Sequence, residues 1–310
     1  MIDILIALFV AFVWGASFTA IELGLRDFPP MLFASLRFAL VAVFALLFLP
    51  KPSGSYGRIA AFGILTGLLQ FGLLFFAMDG HADAGTSALL IQAQVPLTML
   101  LAVLLLREHV TRRQWFGVAV SALGLAMVFL GQSGRIDQLG LLLTLLAALS
   151  FAGGNLVMRR AGGVEAFHMV AWSCLLPPLP LLAISLATEG TNPVSAVLGA
   201  GLTAWLSLAF VAAFATLLGF GLWGRLLATY STGHVLPFAM CIPVFAQSVA
   251  SIALDEPFGI EEGVVTVIVI AGALLCQKRL IMRQCVPVQL LENGAHHVDP
   301  ATAAKCRSGL

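Results

Sequence analysis

Six polar side chains stand inside long apolar runs of this 310-residue chain, where each needs a hydrogen-bond partner. Amide and hydroxyl groups can bind a small neutral or zwitterionic molecule, but they supply no strong acid, base or nucleophile. Because a polar group costs energy in lipid, we expect each to face the inside of a helix bundle or a wet cavity. The six residues are Ser17, Gln70, Gln92, Gln94, Asn155 and Gln247.

Helical spacing groups these polar residues with large side chains. Trp14 and Ser17 share one face of the first apolar segment by the i, i+3 rule. Gln92 shares a face with Pro96, whereas Gln94 points about 200° away and is expected to hydrogen-bond a neighbouring helix. We predict a substrate-binding site lined by Trp14, Ser17, Gln70, Gln92, Asn155, Phe214, Met240 and Gln247.

The composition places these residues in a lipid bilayer. The chain is 60% hydrophobic and 10% charged, against roughly 25% charged residues in soluble domains. A chain this apolar cannot cover a water-facing surface, so we expect a polytopic membrane protein. The net charge of +1 gives no reason to expect a nucleic-acid partner. Without paired cysteine spacing or a metal or haem motif, we expect no cofactor and no metal.

Ten apolar segments are each long enough to cross a bilayer, which takes about 20 residues. Five precede the polar connection 131–137 and five follow it. The sequence therefore predicts an all-α membrane protein of two five-helix units, 1–131 and 138–280, with a cytoplasmic C-terminal tail over 285–310. The predicted spans are 4–21, 31–49, 59–78, 84–106, 114–130, 138–158, 166–188, 194–224 (its start a loop around Asn192-Pro193), 226–254 and 259–277.

The two units echo each other in sequence. Pro96 leads through an apolar helix to Glu108, and Pro243 leads through another to Glu256, 148 positions after Glu108. Because five crossings fit one unit, the second unit is predicted to sit upside down relative to the first, as an inverted repeat. Pro96 and Pro243 interrupt their helices at matching places, and we predict that they act as hinges.

Loop charges set the predicted orientation. With the N-terminus in the cytoplasm, eleven basic residues fall in cytoplasmic connections, and only Arg26 and Arg135 fall in outer loops. Both termini are therefore predicted to be cytoplasmic. The eleven residues are Lys51, Arg58, Arg107, Arg112, Arg113, Arg159, Arg160, Arg225, Lys278, Arg279 and Arg283.

Arg37 is the one basic residue inside a predicted span, and Glu22 lies at a similar depth. We predict that the two form a buried structural ion pair. The alternative is that Arg37 binds a substrate carboxylate. No Asp or Glu lies in the middle of a span, which disfavours a strongly proton-coupled pump and leaves uniport, exchange or weak coupling open.

Several short motifs resemble the EamA-type drug/metabolite transporter superfamily. They are WGASF at 14–18, LRF at 36–38, VP at 95–96 with RE at 107–108, and the second copy, IPV at 242–244 with DE at 255–256. The similarity is greatest to the amino-acid exporter branch, which includes YddG-type proteins. The resemblance implies a ten-helix exporter of the bacterial inner membrane, with a central cavity between helices one, three, four, six, eight and nine.

We therefore expect an inner-membrane secondary transporter, not an enzyme, that exports amino acids or related small metabolites by alternating access. The alternative is a multidrug or other metabolite exporter of the same fold. A membrane-embedded enzyme would need a titratable cluster near one interface, and only Asp79, His81 and Asp83 offer one. The sequence does not decide between a monomer and a homodimer.

Overall fold

The structure is a computed structural model that describes residues 2–52, 56–78, 81–82, 87, 89–131, 136–160, 165–190, 192–253 and 260–276. Apart from one isolated antiparallel bridge between Ala82 and Ile136, the secondary structure of this part of the chain is helical. The predicted tail, 285–310, and the Asp255-Glu256 pair lie outside the described residues.

Helices occupy all ten predicted segments. Seven of them are long and apolar enough to cross a membrane, as judged by length and composition over the described residues; the others are the fourth, fifth and tenth. The ten are α1 (Ile2–Gly24), α2 (Pro30–Phe48), α3 (Tyr56–Met78), α4 (Ile91–Leu106), α5 (Arg112–Gly131), α6 (Gln138–Arg159), α7 (Ala166–Thr188), α8 (Leu202–Thr229), α9 (Thr232–Ala253) and α10 (Ile260–Leu275).

The boundary between α8 and α9 differs from the prediction. The sequence places it at Arg225, but α8 continues to Thr229 and α9 begins at Thr232. Arg225 is exposed near the end of α8, so its charge needs no loop to reach solvent. The chain turns instead at Ser231, whose backbone is extended.

The segments on either side of residue 190 also contain breaks. α7 is interrupted between Ser173 and Pro178. Pro177 and Pro178 account for the break, because a proline ring clashes with the backbone of the preceding helical turn and has no N–H to donate. The predicted loop around Asn192 is instead followed by a short helix, Pro193–Gly199. The Asn192 side chain caps this helix by accepting a hydrogen bond from the Val194 amide at 2.9 Å.

Two helices of each half depart from α-helical geometry at matching places. α3 contains a π-helical segment at Gly63–Leu69, and α8 contains one at Val211–Gly219, which begins 148 positions later. α4 opens with a 3₁₀ turn at Ile91–Ala93, and α9 contains one at Leu236–Cys241. Each 3₁₀ turn ends just before a proline, which cannot donate the ordinary α-helical hydrogen bond.

Helices from the two halves pack against each other in matched pairs. α1 packs on α8 and α9, α6 packs on α3 and α4, α2 packs on α7, and α5 packs on α10. Small residues permit the close approach, since a Cβ added at Gly15 of α1 would lie 2.9 Å from the Ile242 carbonyl oxygen of α9. The centre of the molecule is therefore built from both halves.

Carboxylates satisfy free backbone amides at two helix starts. Glu189, after the end of α7, accepts hydrogen bonds from the amides of Met31 (2.5 Å) and Leu32 (3.3 Å) in the first turn of α2. Asp137 accepts one from the Gly140 amide at 2.7 Å in the first turn of α6. A negative charge also stabilises the positive end of each helix dipole.

Candidate functional site

Trp14 of α1 stands at the centre of a cluster of aromatic rings from three helices. The centroid of its ring lies 5.0 Å from Phe220, 5.2 Å from Trp223 and 6.1 Å from Phe151. Tilted and edge-on pairs of this kind contribute about 0.5–1.5 kcal/mol each beyond burial. The cluster joins α1 to α6 and α8, and therefore one half of the chain to the other.

The π-helical segment of α8 holds the Trp14 indole in place. Its Nε1–H donates to the Ala215 carbonyl oxygen at 2.9 Å, and a Cβ added at Gly219 would lie 2.7 Å from this nitrogen. Widened π turns are often found at functional sites, where they change which backbone groups a neighbour can reach. Within α1, the Ser17 hydroxyl donates to the backbone carbonyl oxygen of Trp14 at 2.7 Å.

Asn155 of α6 is the hub of a buried polar network. Its Nδ2 donates to Gln94 Oε1 at 3.0 Å and to Thr98 Oγ1 at 3.2 Å, and its Oδ1 accepts from Trp223 Nε1 at 3.2 Å. The structure confirms that Gln94 bonds to a neighbouring helix. The Gln94 Nε2 group is buried without a partner among the described residues, so the network keeps one free donor.

Gln92 of α4 makes a separate contact with α9. Its Nε2 donates to the Ala239 carbonyl oxygen at 2.6 Å, and both residues are buried. Ala239 lies four residues before Pro243, so its carbonyl lacks the usual α-helical donor and receives a tighter bond from the Ile242 amide. Gln92 thus supplies a second donor to the break in the opposite half.

The other predicted site residues lie at varying distances from these contacts. Gln70 is buried on α3, and its Oε1 has no partner among the described residues. Met240 is buried in the 3₁₀ turn of α9, whereas Gln247 is partly exposed further along that helix. Phe214 does not join the cluster, because it is 46% exposed and stacks on Phe210 at 5.4 Å.

The π segment explains the placement of Phe214. The prediction that Phe214 lines the site requires an inward-facing side chain, as a uniform 3.6-residue helical period would place it. Over Val211–Gly219 the wider turn instead directs Ala215 and Thr216 inward, where both are buried, and leaves Phe214 outside.

The predicted ion pair between Glu22 and Arg37 is not formed. Glu22 is exposed, while Arg37 is buried and its Nε donates to Thr216 Oγ1 at 2.7 Å. Equal depth in the membrane suggested the pair, but depth says nothing about direction around a helix. α2 turns Arg37 toward α3 and α8, where it contacts Phe71.

Sequence reasoning missed Thr98 and Trp223 as members of the site. Trp223 carried a usable signal, because an indole N–H inside an apolar helix needs an acceptor when it is buried. Its partner, Asn155, was among the predicted residues, so the two side chains form a pair that chemistry alone could have proposed. Thr98 had no such signal, since a threonine can bond to its own helix, as this one also does to Gln94.

A second polar cluster joins α4, α6, α8 and α9, about one turn beyond Asn155 on α6. Glu108, after α4, accepts from Arg159 Nε of α6 at 2.8 Å. Its other oxygen accepts from the amide (3.0 Å) and hydroxyl (2.7 Å) of Thr232, the first residue of α9. Arg159 also donates to the Ala228 carbonyl oxygen of α8 at 3.2 Å. We call Glu108, Arg159 and Thr232 the latch.

These features define a multi-pass membrane protein whose buried centre contains hydrogen-bonding side chains and aromatic rings. No group of three or more His, Cys, Asp or Glu residues in the described part of the chain could hold a metal ion.

The chain belongs to the EamA-like transporter family, which matches residues 1–130 and 138–276. This is a family of transporters, so the protein carries a small-molecule substrate across a membrane and is not an enzyme.

Two bacterial proteins are similar in sequence to most of this chain. A Salmonella typhimurium protein named probable amino-acid metabolite efflux pump is 36% identical over 261 residues, which cover 82% of this chain and 87% of that protein. Its namesake in Escherichia coli K12 is 34% identical over the same shares. A crystal structure of a protein only 16% identical has the same fold, with a TM-score of 0.74 over 89% of this chain and 96% of that one.

Proposed function

We propose that this protein exports amino acids or related small metabolites across the bacterial inner membrane by alternating access. Two relatives of at least 34% identity are named as probable amino-acid metabolite efflux pumps. The observation that carries the proposal is the buried centre, where Trp14, Asn155 and Trp223 join helices of both halves. Its neutral hydrogen-bonding groups suit a small zwitterion better than a polyanion.

The two halves form an inverted repeat of five crossings each, with units 1–131 and 138–280. The family matches on either side of residues 131–137. The π segments of α3 and α8, and the 3₁₀ turns of α4 and α9, recur at corresponding places. The packing pairs also correspond between the halves. α1 of the first half packs on α9 of the second, and the equivalent helix α6 of the second half packs on α4 of the first. The loop charges favour cytoplasmic termini.

Alternating access follows from this symmetry. α4 and α9 each change helix type just before Pro96 or Pro243, and these breaks are natural bending points. The latch holds the cytoplasmic ends of α4, α6 and α9 together, so it opens when cargo enters from the cytoplasm. Beyond Pro243 the α9 residues 245–251 are all partly exposed, which suits an opening toward the outside in this state.

Flux in proteoliposomes tests the proposal. Purified protein is reconstituted in vesicles loaded in turn with each of the twenty labelled L-amino acids, and efflux is measured with and without a pH gradient. We expect efflux of at least one amino acid above that of protein-free vesicles. Cells that overproduce the protein should also become more resistant to toxic analogues of that amino acid.

A Trp14→Ala variant is the matched negative control, because it removes the ring shared by both halves. Efflux of ethidium without any amino acid flux would favour the multidrug alternative. No flux of any amino acid together with unchanged resistance to the analogues contradicts the proposal.

A further inference from the structure

Arg37 is a buried basic side chain in an apolar cluster between α2, α3, α7 and α8. Only 3% of its surface is exposed. The guanidinium carbon lies 4.1 Å from the centroid of the Phe71 ring and 5.0 Å from that of Phe38. Its Nε–H donates to Thr216 Oγ1 at 2.7 Å. Aromatic faces and a hydroxyl therefore fix the plane of the guanidinium.

The charge of Arg37 has no carboxylate partner among the described residues. Glu22 is exposed, and Glu189 is engaged by the first turn of α2. The Thr216 hydroxyl is neutral and donates its own proton to the Val211 carbonyl oxygen at 2.9 Å. The two terminal nitrogens of Arg37 make no hydrogen bond within the described part of the chain.

A cation left in this state inside a membrane protein is costly. An arginine is among the most costly residues to place inside a membrane-spanning helix, and a cation–π contact offsets only part of that cost. The rings also occupy only the faces of the guanidinium. Its edge, with the terminal N–H groups, has the geometry that binds a carboxylate through two parallel hydrogen bonds.

Arg37 is connected to the central cluster through neighbouring residues of the α8 π segment. Ala215 accepts the Trp14 indole N–H, and Thr216, the next residue, accepts from Arg37. Phe71, which stacks on Arg37, directly follows the buried Gln70 on α3. Arg37 and Trp14 are therefore hydrogen-bonded to adjacent residues of one π segment, and Arg37 lies between α3 and α8.

We propose that the terminal nitrogens of Arg37 bind the carboxylate of the transported molecule and select for cargo with a free carboxylate. This assignment rests on the proposed export of amino acids. A cargo whose carboxylate is replaced by a carboxamide loses this contact, because a neutral amide is a weaker acceptor than a carboxylate.

The test compares Arg37→Gln, which removes the charge, with Arg37→Lys, which keeps the charge but cannot form the bidentate pair of hydrogen bonds. Arg26→Gln, at an exposed arginine before α2, is the matched control. The KM for the transported amino acid and the Ki of its carboxamide as competitor are measured in proteoliposomes. We expect Arg37→Gln to raise the KM at least tenfold, with Arg37→Lys intermediate, while the Ki of the carboxamide and the Arg26→Gln variant stay near wild type.

An unchanged KM in Arg37→Gln would overturn the assignment while leaving the export function standing. Equal loss of acid and carboxamide would overturn it too, because that pattern describes a structural role.

A second measurement serves if the wild type carries no amino acid, or if Arg37→Gln does not fold. Thermal unfolding of the purified wild type and Arg37→Lys is followed in sodium acetate and in sodium chloride. Acetate should raise the unfolding temperature of the wild type more than chloride does. This difference between the two salts should be smaller for Arg37→Lys. Equal stabilisation by the two salts, or none, rejects a carboxylate site whatever the fate of the export proposal.

Discussion

The two proline-broken helices, α4 and α9, have the same backbone plan but different side chains. Each passes from a 3₁₀ turn into an α-helix, and the α-helical parts begin 148 positions apart, at Gln94 and Ile242. Around its break, α4 carries Gln92, Gln94 and Thr98, all buried and hydrogen-bonded. α9 carries Phe238, Met240 and Cys241, which are buried and apolar.

This difference teaches that the proposed bending element and the proposed recognition groups are separate parts of the molecule. The proline and the 3₁₀ turn are present in both halves, as the proposed bending of both helices requires. Of the two proline-broken helices, only α4 contributes to the polar network around Asn155, so the proposed binding centre is asymmetric within a symmetric frame. Gln92 connects the two broken helices, since its side-chain amide on α4 donates to the Ala239 carbonyl oxygen at the break of α9.

Asn155→Leu should have the largest effect, because it removes the hub that α4 shares with α6 and α8. The buried Trp223 indole N–H and the Gln94 amide oxygen would each lose a partner. A buried unsatisfied polar group costs about 1–3 kcal/mol, so we expect about 3 kcal/mol of destabilisation and loss of transport. Thermal unfolding and efflux measure the two effects. A variant as stable as wild type would mean that the network does not hold α4.

Glu108→Gln tests the latch at the end of α4. The neutral amide would weaken the bond from Arg159 and leave that cation partly unpaired at a site where both side chains are mostly buried. A charge-assisted hydrogen bond contributes about 1.5–3 kcal/mol, so we expect about 2 kcal/mol less stabilisation of the latched state. Thr232→Cys introduces a reporter at the latch for membrane-impermeant maleimide.

In the Thr232→Cys background, labelling from the cytoplasmic side should speed up several-fold when Glu108→Gln is added. Arg160→Gln is the matched control, because Arg160 is exposed next to the latch residue Arg159. Equal labelling rates in all three proteins would show that Glu108 does not restrain α9.

The sequence predicted where helices lie, and the structure brings some of the predicted site residues together. Apolar runs of membrane length leave little choice of structure, so the described part of each predicted segment contains a helix, although the boundary between α8 and α9 lies later than predicted. The π segments were missed because they shift hydrogen bonds without a residue signature, and this shift misplaced Phe214. Arg37 was found, but its direction around α2 depends on which helices pack beside it, which no local pattern encodes.

Gln92→Leu probes the single contact that links the two breaks. It removes the side-chain donor to the Ala239 carbonyl oxygen, and we expect a loss of about 1 kcal/mol, as for an ordinary hydrogen bond. In a Pro243→Ala background this loss should fall to less than half, because the new amide at 243 can itself donate to Ala239. A double-mutant cycle on thermal unfolding measures the coupling.

Pro96→Ala provides the matched comparison in the other half. It restores a donor to the Gln92 backbone carbonyl and leaves the contact of the Gln92 side chain with Ala239 in place. The effects of Gln92→Leu and Pro96→Ala should therefore be nearly additive. If the coupling energy between Gln92→Leu and Pro96→Ala is as large as that between Gln92→Leu and Pro243→Ala, the effect of Gln92 is not specific to the break of α9.

The smallest effect is expected far from both breaks, at the start of α6. The Gly140 amide and the His81 ring, 2.8 Å away, lower the pKa of Asp137. A carboxyl group whose pKa is lowered by folding stabilises the folded state above its unfolded pKa of about 3.9, and this contribution is lost as the pH falls. Asn is also a good helix cap, so Asp137→Asn should lower the unfolding temperature slightly at pH 7, and this difference should shrink as the pH falls below about 3.9. A difference that persists undiminished at pH 3 would mean that the ionised carboxylate is not the stabilising form.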